Sequence, residues 1–367
     1  MKYSRLNKQK KSSTLQRRQK SSLLILGTIL ITCIILSFIM VSADLQTQET
    51  AVQKTEGPEI EMQETEAPVL AYSELETAPD VLISPEHNTY GDLSVPTYIT
   101  KIDDLYFLVD CYHDQILYHD NLSDPLTDWL VMTDEINRGH TIASDGLVYL
   151  ADDTENNRIL VFERQDEVFV HTQTFSDIGN RPHYIIYDRP SDTFYAWSSM
   201  SGEMYLFRHS PDDSRMYLSE IRCIEQLDNI YVRSFTILDN DIYFVSGNSS
   251  ILRVDLNTFE LLEAYPVPDS MAGMIQLTKI QDYYYITVST DIAGNQDYAT
   301  ILRTHDLLGL ALGDYEDIYE TFIGGGTPYY ITSFDDAFYL TEHRLPGHSV
   351  WRFQVQDNEL TDVETVY

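Results

Sequence analysis

The sequence predicts an all-β chain: a six-bladed β-propeller over residues 90–367, set behind an N-terminal transmembrane helix and a disordered acidic linker. Three observations carry that prediction. One small hairpin is written six times after residue 90, its copies recur at the spacing of a four-stranded blade, and the residues before it change abruptly from basic to apolar to acidic.

Residues 1–20 hold Lys2, Arg5, Lys8, Lys10, Lys11, Arg17, Arg18 and Lys20 and no acid, which reads as a basic cytoplasmic tail. Residues 21–43 contain no charged side chain and are long enough to cross a bilayer as a helix. The basic flank places the N-terminus in the cytoplasm and makes the segment a signal anchor. A cleavable signal peptide ending at Val41-Ser42-Ala43 is the alternative, with an unusually long apolar region. Residues 44–85 are rich in Glu, Thr, Gln, Ala and Pro. They offer too little apolar surface to offset the entropy of ordering, so they read as an acidic disordered stalk.

The whole chain has 24 Lys plus Arg against 58 Asp plus Glu, a formal net charge of −34. A surface so acidic repels phosphate backbones and excludes nucleic acid as the partner of the main domain. The expected partners are the membrane, through residues 21–43, and an extracellular protein, peptide or glycan. Only Cys111 and Cys223 fall in the main domain, too few for a disulfide framework, and whether they pair is not legible.

From residue 90 the chain alternates Tyr, Phe, Ile and Val with polar residues in short runs broken by Asp, Asn and Gly, the pattern of strands and tight turns. The first strand of each unit reads PTYITKID, GHTIASD, PHYIIYD, RSFTILD, IQLTKIQ and PYYITSF. The second reads LYFLVD, LVYLAD, TFYAWS, IYFVSG, YYITVS and AFYLTE. The third reads QILYHD, RILVFE, EMYLFR, SILRVD, TILRTH and SVWRFQ, and a looser fourth run follows. A single sheet of this kind cannot bury both apolar faces, so the blades must stack around an axis until the ring closes. A β-sandwich shares the short strands but not a signature repeated at blade spacing.

The second unit, residues 139–162, couples the turn Asp145-Gly146, a strand ending in Ala151-Asp152 and the turn Asn156-Asn157-Arg158. It resembles an NHL repeat. That resemblance implies that the start of each inner strand and the loop between the second and third strands share one face, where ligands sit. Aligning the six units then places Thr97, His140, His183, Arg233, Ile275 and Tyr329 around the mouth of the central channel. Asp110, His113, Asp152, Asp153, Glu155, Glu342, His343 and His348 stand in loops on the same face.

His140 and His183 occupy equivalent positions in neighbouring units and are candidate ligands for a divalent metal such as Zn²⁺. With Arg233 and Tyr329, the set is similar to six-bladed lyases of the peptidyl-amidating type. Those enzymes supply three histidines where Thr97 and Ile275 fill the remaining positions here. The acidic turn Asp152 to Glu155 is a candidate Ca²⁺ site without the spaced oxygen ligands of a dedicated loop. Asn121-Leu122-Ser123 fits a glycosylation acceptor, and Ile323 to Tyr330, IGGGTPYY, reads as the crossing between units five and six.

No nucleophile, base and orienter stand at a recognisable spacing. The leading expectation is therefore a binding or scaffolding module, with loops such as those of His113 and His348 weighted above His140 and His183. A metal-dependent lyase or lactone hydrolase at the channel mouth is the alternative.

Overall fold

The computed structural model describes residues 72–74, 85–210 and 213–367. The basic tail, the 21–43 span and all but Tyr72–Glu74 and residue 85 of the stalk lie outside the described residues. No helix among the described residues is long and apolar enough to cross a membrane.

Among the described residues six antiparallel sheets follow one another, each built on four consecutive strands in the order inner to outer. Their inner strands are Pro96–Ile102, Ile142–Ser144, Pro182–Asp188, Val232–Leu238, Met274–Ile280 and Thr327–Phe334, and they define blades 1 to 6. Glu86–His87 pairs with the outer strand of blade 1. The backbone of Tyr72–Glu74, inside the segment read as stalk, pairs with that of blade 2.

The second strand of each blade lies between two neighbouring blades and buries both faces, which explains its continuous apolar runs. Val148–Asp153 and Thr193–Ser198 are buried at every position. Outer strands such as Met216–Cys223 and Glu359–Thr365 are largely exposed and accordingly polar. The turns use residues that accept a left-handed backbone: Gly146 has φ +98°, Asn157 has φ 53°, and Asp114 takes the Asn157 place in blade 1 with φ 55°.

Blade 6 closes directly onto blade 1. Ile99, Leu108, Leu117 and Trp129 of blade 1 pack with Ala337, Tyr339 and Val350 of blade 6. Tyr367 seals the seam, its hydroxyl meeting Trp129 Nε1 at 2.9 Å and the carbonyls of Leu122 and Asp124 at 2.7 Å.

A circuit of hydrogen bonds runs round the top of the ring. Thr97 Oγ1 donates to the His140 carbonyl (2.9 Å), Thr154 Oγ1 to that of Pro182 (2.7 Å) and Trp197 Nε1 to that of Val232 (3.1 Å). Ser234 Oγ donates to Ile275 (2.6 Å), Thr287 Oγ1 to Tyr329 (2.6 Å), and Thr341 Oγ1 returns to Thr97 (2.7 Å). Five inner strands slip register at their first residues, around Thr97, His183, Arg233, Ile275 and Tyr329. A bulge of this kind withdraws a residue from the ladder, which frees its backbone and re-aims its side chain. The same irregularity thus sets both the inter-blade bonds and the ring of residues at the channel mouth.

The channel does not run through. Tyr98, Tyr184 and Tyr330, from blades 1, 3 and 6, meet across the axis with ring centres 5.0 to 6.5 Å apart, and Phe235 joins them 5.5 Å from Tyr184. Above this plug lies the mouth with the bulged residues. Below it is a cavity of about 300 Å³ walled by hydroxyl and amide side chains, among them Thr100, Thr236, Thr278 and Gln276.

Candidate functional site at the channel mouth

At the upper end of the axis His140 and His183 stack, ring centres 3.6 Å apart at an interplanar angle of 39°. Tyr329 approaches His140 at 6.4 Å from the far side of the ring, and His343 lies 5.5 Å beyond Tyr329. Arg233 donates from Nη1 to Ser289 Oγ and rests on Tyr231, its guanidinium carbon 5.2 Å from the ring centre. Tyr231 also stands edge-on to His183 at 5.9 Å. Of the six aligned positions, His140, His183, Arg233 and Tyr329 come together here. Thr97 and Ile275 are fully buried, Thr97 bonded to the His140 carbonyl and Ile275 packed in the apolar cluster beside the plug.

His140 is rigidly held. Its backbone N–H donates to Asp152 Oδ2 (2.9 Å), and its Nδ1 lies 3.1 Å from Thr154 Oγ1. Asp152 is saturated, because Thr141 N and Thr141 Oγ1 take Oδ1 (2.7 and 2.8 Å) and Thr154 Oγ1 shares Oδ2 (2.8 Å). His140 Nε2 faces the thiol of Cys111 at 3.8 Å. Burial, with Asp152 nearby, pushes the Cys111 thiol up, so it stays protonated and donates weakly.

His183 differs. It is 1% exposed, and neither ring nitrogen has a hydrogen-bond partner. Burial, then His140 and the guanidinium groups of Arg233 and Arg181, hold it well below the usual histidine range, and burial likewise depresses His140. Both imidazoles are neutral at pH 7.

The carboxylates of the upper loops serve the backbone. Asp110 Oδ1 accepts from the amides of Ser94 and Val95, while Oδ2 meets His113 Nδ1 at 2.6 Å. Asp153 accepts from Asn137 N, Asn156 and Arg158, and Glu155 pairs with Arg181. The Asp152 to Glu155 turn therefore has its oxygens committed and does not fit a Ca²⁺ ion. His113 is stacked under Tyr90 at 3.7 Å, and His348 on Trp351 at 5.5 Å.

Among the described residues no group of three or more His, Cys, Asp or Glu is arranged to hold a metal ion. The His140 and His183 rings pack against each other with their planes tilted by 39°, and His140 Nδ1 is already engaged by Thr154. Two imidazoles without a third ligand do not make the donor set of a catalytic zinc. The two cysteines left open by the sequence are both free, Cys111 buried and Cys223 exposed.

Glu342 occupies the place in blade 6 that Asp110 holds in blade 1, but it caps nothing. It is fully buried, accepts from Tyr319 O–H at Oε2 (3.1 Å), and leaves Oε1 unpartnered. A β-carbon added at Gly326 would stand 2.5 Å from that oxygen, so the glycine run is where the chain passes over the buried carboxyl. Burial pushes Glu342 up to about 7, and burial with Arg344 and Arg233 pushes His343 down to about 4.

No protein-family model and no curated protein sequence matches this chain. Solved structures do. A protein assigned as a 6-phosphogluconolactonase from Bacteroides uniformis superposes with a TM-score of 0.51 at 12% identity, covering 71% of this chain and 82% of that one. A streptogramin B lyase gives 0.50 at 17%, over 76% and 85%. A catalytically inactive virginiamycin B lyase from Staphylococcus aureus, solved with quinupristin, gives 0.50 at 15%, over 81% and 89%. The likeness is one of fold. At these identities the β-propeller architecture is shared and chemistry is not carried across.

Three residues of the mouth escape the six-unit alignment. Tyr231 stands two places before the aligned Arg233, and Ser289 and Cys111 directly follow the second strands of blades 5 and 1. The polar Ser289 directly after the apolar run YYITV was the one available signal.

Proposed function

We propose that this chain is a binding module: an NHL-like propeller anchored in the cell membrane by residues 21–43 and displayed outside on an acidic stalk, its axial mouth receiving a protein, peptide or glycan. One observation carries the reading. The mouth is assembled by side chains from several blades around a buried histidine with two unsatisfied nitrogens. Folded proteins rarely leave such a group without a partner, because it costs about 1–3 kcal/mol. The axis is favoured over the outer loops in this reading, since His113 and His348 are spent on their own loops.

The test is a peptide and glycan array probed with the full-length protein and two double variants. Changing His140 and His183 to Ala should reduce binding of the wild-type hits at least tenfold, roughly the loss of one or two good contacts. Changing His113 and His348 should leave it within about twofold on the same scale. The reverse pattern would move the binding face to the outer loops.

An enzyme working at the same mouth, a lyase or lactone hydrolase, is the second reading. It draws on the fixed orientation of His140 by Thr154 and Asp152, which suits a general base. Lactone turnover by the wild type, lost in His140→Ala with unchanged melting, would favour it.

A further inference from the structure

We propose that the axial mouth binds a single carboxylate, presented by a ligand with a flat body; this rests on the reading of the mouth as the binding face and names the chemistry it selects. The starting point is the charge of Arg233. Arg158, Arg164, Arg253, Arg303 and Arg352 each pair with a carboxylate, as expected in so acidic a chain. Arg233 pairs with none among the described residues. Its partners are the Ser289 hydroxyl and the face of Tyr231. A half-buried cation without a counter-ion is costly, and an arriving anion removes that cost.

The surrounding groups are donors. His183 offers a ring N–H that nothing in the fold accepts, and Arg138, set over the ring of Tyr112 at 3.7 Å, has a buried Nη1 without a partner. The acidic side chains around the mouth do not compete. Asp152 and Asp110 are saturated by backbone and side-chain donors, and Glu155 is spent on Arg181. The free oxygen of Glu342 lies against Gly326.

The number of charges selects the anion. Arg181 is neutralised by Glu155, and Arg138 is shared with Asp114 at 4.0 Å, which leaves Arg233 as the uncompensated guanidinium on the Tyr231 wall, while Arg344, donating to Thr327 Oγ1, stands in the adjoining cleft. A planar guanidinium matches a two-oxygen carboxylate, whereas a dianionic phosphate calls for more positive charge than stands here. Tyr231, Tyr329 and His140 supply aromatic walls, and the tyrosine plug closes the floor, so the ligand enters end-on with its flat body against the rings. Next to His343 a cleft of about 380 Å³, with Leu93, Leu345, Pro346 and Arg344 in its wall, gives room for the rest of the ligand.

The probes are benzoate, its neutral isostere benzamide and phenyl phosphate, each titrated at constant ionic strength into the full-length protein while the histidine side-chain resonances are followed. Benzoate should shift His183 and His140 saturably, and benzamide and phenyl phosphate should bind at least about tenfold more weakly, the loss of one charge-assisted contact. Arg233→Met should weaken benzoate by about the same factor, and Arg233→Lys, which keeps the charge but not the planar fork, should restore only part of it. The comparison of probes on the wild type stands even if Arg233→Met fails to fold. Equal binding of benzoate and benzamide at these histidines would overturn the carboxylate and leave the mouth as a binding face. Tighter binding of phenyl phosphate would also overturn it, and no probe reaching His183 or His140 would sink both readings.

Discussion

A chain ending before Gly324, and so lacking blade 6, should not fold. Without Thr327–Thr365, blade 1 loses the partners of Ile99, Leu108, Leu117 and Trp129, and blade 5 loses those of Ile280, Tyr285 and Ile301. Burial of each large apolar side chain is worth roughly 1.5–3 kcal/mol, so baring a handful exceeds the 5–15 kcal/mol by which a typical domain is stable. The bonds from Thr287 to Tyr329 and from Thr341 to Thr97 go as well. Size-exclusion chromatography and calorimetry of the truncated chain should show aggregate or an expanded species without a melting transition. A soluble product with one sharp transition would mean that the blades do not depend on a closed ring.

Glu342→Gln should stabilise the protein at pH 8 and make no difference at pH 4. The folded carboxyl titrates at about 7 against 4.5 for an unburied glutamate, so the fold favours its protonated form. That contribution is fully present below the unfolded value, and it is lost as pH rises through the folded one. Above pH 7 the wild type carries a buried carboxylate whose Oε1 has no donor, at a cost of up to roughly 3 kcal/mol. Glutamine keeps the acceptor for Tyr319 and cannot ionise. Because the variant is compared with wild type at each pH, the opposite trend from His140, His183 and His343, whose neutral forms the fold favours, cancels. Melting curves between pH 4 and 8 read the difference directly. A gap that stays constant with pH would show that Glu342 is not held in its protonated form by the fold.

The blades were legible in the sequence because their stacking leaves a simple mark: a second strand buried on both faces must be apolar throughout, and six such runs stand in register with their neighbours. The mouth was legible in part. His183, Arg233 and Tyr329 align because each stands at the bulge that opens an inner strand, and His140 takes the matching place just ahead of the shorter inner strand of blade 2.

The roles of the carboxylates were not legible. An aspartate that ends a second strand is written with the same letter whether it caps backbone amides, as Asp110 does, or faces a ligand. Nor did the pattern separate tyrosines between blades from Tyr98, Tyr184 and Tyr330, which meet on the axis. Their contacts join blades far apart in sequence, and alternation within one strand carries no information about the opposite side of a ring. Glu342 left the best unread sign, the glycines at 324–326, whose third member has no room for a side chain above the buried carboxyl.

The most direct measurement of the central claim is a crystal structure of the protein with the tightest ligand found on the array. That ligand should sit at the axial mouth, within hydrogen-bonding distance of His183 and Arg233, with the tyrosine plug in place beneath it. A ligand seated on the outer loops around His113 or His348, with His183 still unpartnered, would contradict it.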